Sequence, residues 1–185
     1  MPVSVFFISC QDKTFEEITY TANVPVYMGF DEFRSSVKRS DPRQMEQPGK
    51  IYFKDNYLFV NEINKGVHVV DNSDPANPVI TTFLEIPGNF DIAIKGSILY
   101  ADSFIDLVAI DISDPANPVE IDRVEDAFPN VLPVFDYNYP VYGLDWEKGI
   151  VVGWETREVT ELVEKGNTYR NEMLYFDGLG VPTIG

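Results

Sequence analysis

Cysteine, histidine and positive charge are scarce in this chain, with one Cys, one His and 14 Lys plus Arg against 30 Asp plus Glu in 185 residues. A single cysteine excludes an intrachain disulfide. A single histidine excludes paired-histidine metal motifs and leaves a histidine-dependent triad no choice of base. The net charge of −16 repels phosphate backbones and anionic headgroups, so neither nucleic acid nor an electrostatically held membrane is expected as a partner. Long apolar runs are missing too, and nothing approaches the ~18 residues of a spanning helix. Gly-rich phosphate loops and Gly-x-Ser-x-Gly elbows are absent. No cofactor, metal or dinucleotide is therefore expected, and no catalytic residue is assigned.

What is present is a chain with enough apolar material to fold. Hydrophobic residues make up 44% and aromatics 14%, which argues against global disorder and for one sizeable core. The region from Lys50 to Phe128 is one unit written twice. Asp71-Asn72-Ser73-Asp74-Pro75-Ala76-Asn77-Pro78-Val79 returns 40 residues later as Asp111-Ile112-Ser113-Asp114-Pro115-Ala116-Asn117-Pro118-Val119, identical at eight of nine positions. At the same offset Leu58 to Glu62 faces Ile98 to Asp102, and Val67 to Asp71 faces Leu107 to Asp111. A fixed period of this length indicates repeat architecture.

Each unit divides into four short apolar runs. In the first they are Ile51 to Phe53, Tyr57 to Glu62, Val67 to Asp71 and Val79 to Ile86. Lys54-Asp55-Asn56 and Lys95-Gly96-Ser97 suit tight hairpins. The third run is apolar almost throughout and too short for a helix, so it reads as a strand buried on both faces. Ser-Asp-Pro-Ala-Asn-Pro closes it: Asp and Asn bond backbone N–H groups two residues on, and proline fixes φ and lacks a donor. Four strands in ~40 residues is the arithmetic of a propeller blade.

Leu107-Val108-Ala109-Ile110-Asp111 with its Ser-Asp-Pro turn resembles the LVIVD repeat of bacterial extracellular proteins. Pro48-Gly49-Lys50-Ile51-Tyr52 and Ile86 to Asp91 resemble LVIVD-containing lipoproteins of the Bacteroidetes type. The resemblance implies a surface scaffold with propeller-like blades and supplies no enzymatic activity.

The flanks are read as follows. Residues 1–10 form a signal remnant in which Phe7-Ile8-Ser9-Cys10 resembles a lipobox, making Cys10 the expected lipid-attachment site. No basic residue precedes Cys10, which predicts a reading frame extending upstream of Met1. Residues 11–49 hold one or two edge strands, with Pro25 excluding a central position. They also hold a short helix from Asp31 to Lys38 capped by Asp31, and a polar connector. Units follow at 50–88 and 89–128. Residues 129–168 are a Pro-rich linker and a degraded third hairpin, in which Gly149 takes a turn and Ile150-Val151-Val152 echoes Ile98-Leu99-Tyr100. Residues 169–185 are a tail.

Four residues form a candidate rim for a partner: Glu62, Asp102, Phe104 and Trp154. Glu62 and Asp102 share a position at the 40-residue offset and would line one edge of adjacent blades. His68 sits between Val67 and Val69 inside a strand and reads as structural. The Asp71 and Asp111 turns lack the glycine and bidentate Glu of a helix–loop–helix calcium site, so they read as turns. Arg34, Lys38, Arg39 and Arg43 read as a solvated face balancing nearby acids.

The fold expected is all-β, with two four-stranded propeller-type blades, a degraded third hairpin and one short helix, and with no closed ring. The function expected is a non-catalytic, surface-anchored binding module of the bacterial outer membrane, with a protein or glycan partner at the cell surface. It touches membrane only through its lipid anchor and can self-associate through open sheet edges. Two alternatives stand beside it. One is a secreted glycan-processing enzyme with Glu62 and Asp102 as its acids. The other is a fragment of a longer LVIVD-repeat lipoprotein.

Overall fold

The computed structural model describes residues 13–129 and 131–165. Cys10 and the expected tail lie outside the described residues. In chain order the elements are β1 (Phe15–Met28), α1 (Phe30–Arg34), β2 (Lys38–Ser40), β3 (Pro48–Lys54), β4 (Tyr57–Glu62), β5 (Gly66–Asp71), β6 (Val79–Glu85), β7 (Ile92–Lys95), β8 (Ile98–Ser103), β9 (Asp106–Asp111), β10 (Val119–Val124), a 3-10 turn (Trp146–Lys148) and β11 (Ile150–Glu164).

Each unit is a four-stranded antiparallel meander, β3 to β6 and then β7 to β10. β2 extends the first sheet beyond β6. None of the described sheets closes on itself. The sheets pack face to face through one apolar core. The first contributes Phe59, Val67, Val69 and Leu84; the second contributes Leu99, Ala101, Val108 and Ile110.

Cross-strand partners share a face of a sheet. Phe59 pairs with Val69, and Asn61 with Val67 and so with Leu84. Leu99 pairs with Ile110, and Ala101 with Val108. The two units therefore meet through opposite faces, as stacked blades do. The face of the second unit matching Phe59 and Asn61 carries Tyr100, Asp102, Leu107 and Ala109, and Tyr100 on it is 36% exposed where Phe59 is fully buried.

The pairing also corrects the ungapped alignment of the two copies. Tyr57 pairs with Asp71 in the first unit, and Ile98 with Asp111 in the second. Three residues, Ile63 to Lys65, join β4 to β5, but only Phe104 and Ile105 join β8 to β9. One residue fewer in that turn moves β8 by one position, and the period of two then sends each side chain to the other face. Asp102 is the equivalent of Asn61. Glu62 is the equivalent of Ser103.

Three further expectations take a different form. The helix stops at Arg34 and is capped at Gly29, with Asp31 lying in its first turn and no side chain capping it. Ser35 and Ser36 donate their hydroxyls back to Asp31 O and Phe33 O, which ends the helix locally, and Lys38 then pairs with β6. The N-terminal strands are one strand, β1. The third hairpin is instead a single strand, β11, paired along β1 from Phe15–Glu164 to Met28–Ile150. This ribbon packs on the second unit through Ile150, Phe33 and Phe104.

Candidate functional site

Glu62 and Asp102 are not paired across one rim. Glu62 is buried, 1% exposed. Its Oε2 lies 3.0 Å from His68 Nε2, and its oxygens accept the backbone N–H of Glu46 at 3.1 Å and of Gln47 at 2.5 Å. Burial alone would raise its proton affinity; the bonds from Gln47, His68 and Glu46 outweigh that and hold the carboxyl below the usual glutamate range. His68 is fully buried in β5 and meets the Phe83 ring edge-on at 4.6 Å between centroids. The pair is structural. It pins the connector 41–47 to β4, and Arg43 lies 3.4 Å over Phe83 from the same connector.

Asp102 has a different setting. It lines a cleft of about 870 Å³ on the open face of the second unit, together with Tyr100, Phe104, Leu107, Phe128 and Val134. Its Oδ1 accepts three N–H groups, from Asn89 Nδ2 at 2.9 Å, Phe90 at 2.9 Å and Asp91 at 2.8 Å. No partner of Oδ2 exists among the described residues. Burial dominates here and raises the carboxyl above the usual aspartate range, despite those three donors.

Phe104 joins Asp102 in the cleft. It takes the first place of the β8–β9 turn at φ 45°, a left-handed backbone that costs a bulky residue about 1–2 kcal/mol. Its ring is buried against Phe33, 6.1 Å between centroids. Trp154 does not line the cleft. Its indole Nε1 donates to Pro133 O at 2.9 Å, and Pro133 does line it. Trp154 thus holds the Pro-rich strap that borders the site. Buried Asn23 holds the strap's far end through Asp136 O and Tyr139 O, both at 2.8 Å.

The repeated turns close as their residue types require. Asp71 Oδ1 accepts Ser73 N, and Asp111 Oδ1 accepts Ser113 N, both at 2.8 Å. Asp74 and Asp114 each accept the N–H two residues on at 3.1 Å and the following Asn side chain. Among the described residues no group of three His, Cys, Asp or Glu side chains is placed to hold a metal ion.

Two meanders, each carrying this turn before its last strand and stacked through opposite faces, are what the family comparison picks out. Residues 49–83 and 89–126 match the LVIVD repeat. No curated protein and no solved structure matches the chain. The LVIVD units form a β-rich, propeller-like repeat module.

The second LVIVD unit also buries a carboxylate that the sequence reading missed. Asp106 is fully buried and pairs across the strands with Ser103, the place where Gly66 pairs with Glu62 in the first unit. Its Oδ2 meets Arg123 at 3.1 Å and Arg34 at 3.3 Å, and its Oδ1 accepts Asp126 N at 2.9 Å. Each LVIVD unit therefore buries one acid on the same face at the same hairpin end, on opposite strands. The signal was a charge at 106 where the first copy has glycine. The basic cluster disperses accordingly: Arg34 serves Asp106 and Glu125, Lys38 meets Glu85, and Arg43 stacks on Phe83.

Proposed function

We propose that the chain is a non-catalytic binding module, anchored at a bacterial outer surface by a lipid on Cys10, whose protein or glycan partner docks on the open face of the second LVIVD unit. The observation that carries this reading is that face. Stacking buries the matching surface of the first unit completely at Phe59, whereas Tyr100 remains 36% exposed beside the cleft. An apolar face rimmed by polar groups is a binding-site pattern. Catalysis by Glu62 and Asp102 lacks geometric support, since only Asp102 lines the cleft and Glu62 is bound within the first unit.

Two experiments test the reading. A gene extended upstream of Met1 is expressed with Cys10→Ala, and cells are fractionated. The parent is expected in the membrane fraction and the variant in the soluble one; membrane retention of the variant overturns the anchor. The purified chain is then tested on glycan and surface-protein arrays beside a folded Tyr100→Arg variant, and against a polysaccharide panel. Saturable binding lost in the variant, without polysaccharide cleavage, is expected. Turnover of a polysaccharide would replace this reading with the enzymatic one.

A further inference from the structure

We propose that the cleft receives a cationic, amphipathic segment of a partner protein, with a lysine or arginine reaching Asp102 and its apolar neighbours seated on Tyr100, Phe104 and Leu107. The inference rests on the binding reading above and names the chemistry of the partner.

The comparison between the two LVIVD units carries the argument. In the first unit this face is filled by the neighbouring sheet, and the position in question is Asn61. That side chain is neutral and buried, and it donates to Asn89 Oδ1 at 2.6 Å inside the interface. Asn61 Oδ1 is buried without a partner among the described residues, but the side chain is neutral and leaves no charge for the covering sheet to compensate. In the second unit the same position is Asp102, a carboxylate, so the open face requires more than another apolar sheet.

The rest of the cleft defines that requirement. About 870 Å³ lies within the ~300–1,000 Å³ range of ligand-sized pockets. Its lining includes no Lys, Arg or His. Of its two carboxylates, Asp91 already meets Lys50 Nζ at 2.7 Å, whereas Asp102 has no cation and keeps Oδ2 unpartnered among the described residues. Burial raises its proton affinity above the usual aspartate range. A cation arriving at Oδ2 forms a charge-assisted bond in a partly desolvated site.

Other occupants fit less well. The net charge of −16 draws basic partners from a distance and repels a second copy of the chain. A neutral glycan can hydrogen-bond Oδ2 but leaves its charge uncompensated against Tyr100, Phe104 and Leu107. A lysine or arginine brings the charge and an apolar stem together.

The test uses three capped heptapeptides of sequence Ser-Leu-Phe-X-Leu-Val-Ser, with X lysine, glutamine or glutamate, titrated calorimetrically into the full chain. The lysine peptide is expected to bind at least ten-fold tighter than the glutamine peptide, and the glutamate peptide weakest. Asp102→Asn keeps an acceptor for the three N–H groups, so the variant is expected to fold, as its melting curve would show. It should bring the lysine peptide down to the level of the glutamine peptide. Glu32→Gln, an exposed acid on α1, should leave the ten-fold ratio intact, which separates a local contact from the global charge. Equal affinities for the lysine and glutamine peptides overturn the cationic segment while leaving a binding module. So does saturable binding to a neutral glycan alone. Failure of every peptide, glycan and surface protein to bind overturns both readings.

Discussion

His68 Nε2 and Glu62 Oε2 lie 3.0 Å apart inside the first LVIVD unit, and neither side chain reaches solvent. The contact joins β5 to β4, and through the Glu46 and Gln47 N–H groups it joins both to the connector 41–47. Removing Glu62 leaves buried His68 Nε2 and the Glu46 and Gln47 N–H groups without their common partner. Glu62→Ala is therefore expected to lower stability by about 3 kcal/mol, the range seen when one partner of a buried pair is deleted. Glu62→Gln, which keeps an acceptor, should cost less. Urea denaturation of the three proteins checks the order; equal midpoints would show that the pair contributes nothing.

The repeated turns should give the fold an acid-sensitive limb. The Ser73 bonds at Asp71, the Asn77 and Ala76 bonds at Asp74 and the Ser113 bonds at Asp111 each hold the carboxyl below the ordinary aspartate value of 3.8. A group whose folded value is depressed stabilises the fold above its unfolded value, and that contribution is lost as pH falls through the folded one. Glu62 acts in the same direction, from the ordinary value of 4.5. Stability is expected to fall below roughly pH 4. The double variant Asp71→Asn, Asp111→Asn keeps the acceptors and should fall less steeply. A slope identical to the parent's would remove the turns from the account.

Asp106 ties the helix to the second unit. Arg34 on α1 and Arg123 on β10 both reach its Oδ2, and the Arg123 side chain is only 9% exposed. Asp106→Ala removes the acid shared by the two guanidiniums and the acceptor of Asp126 N, while Glu120 still pairs with Arg123 and Glu125 with Arg34, and is expected to cost about 1–3 kcal/mol. The loss should be local first. Amide exchange of residues 30–36 should accelerate more than that of β4 and β5, whose core does not depend on this contact. Uniform acceleration across both units would contradict a latch.

The Phe104 ring packs directly on the backbone of Gly88. Gly88 sits at φ 70°, and a Cβ there would overlap the Phe104 ring. Gly88→Ala is expected to cost about 1–2 kcal/mol from the left-handed backbone alone, with a further loss as the ring moves. Because Phe104 lines the cleft, the same variant should weaken whatever binds there. A variant that melts like the parent and binds like it would show that the ring has room elsewhere.

Legibility in the sequence followed the distance between interacting residues. Asp71 and Asp111 were readable because each carboxylate bonds an N–H two residues away. The hairpins were readable because Asp55-Asn56 and Gly96-Ser97 carry turn chemistry between alternating strands. His68 read as structural because an apolar run encloses it. The pairing of β1 with β11 had no comparable mark. Phe15 and Glu164 meet across almost the whole described chain, and a strand's own residues do not name its partner. The residues around Gly149 carry the same local marks of a hairpin turn, yet what lies against Gly149 is the backbone of Met28 and Gly29.

The acids show the limit most clearly. By itself the sequence determined the repeat, its strand content and its closing turns, because all three rest on periodicity and local bonding. Only the tertiary structure decided that Glu62 is a buried support and Asp102 a cleft residue. An ungapped offset of 40 residues makes the two look equivalent, yet the β8–β9 turn is one residue shorter than the β4–β5 turn. In a pleated strand, a displacement of one residue sends a side chain to the opposite face. Whether that face is covered depends on which sheet packs there, and that is a property of the assembled molecule.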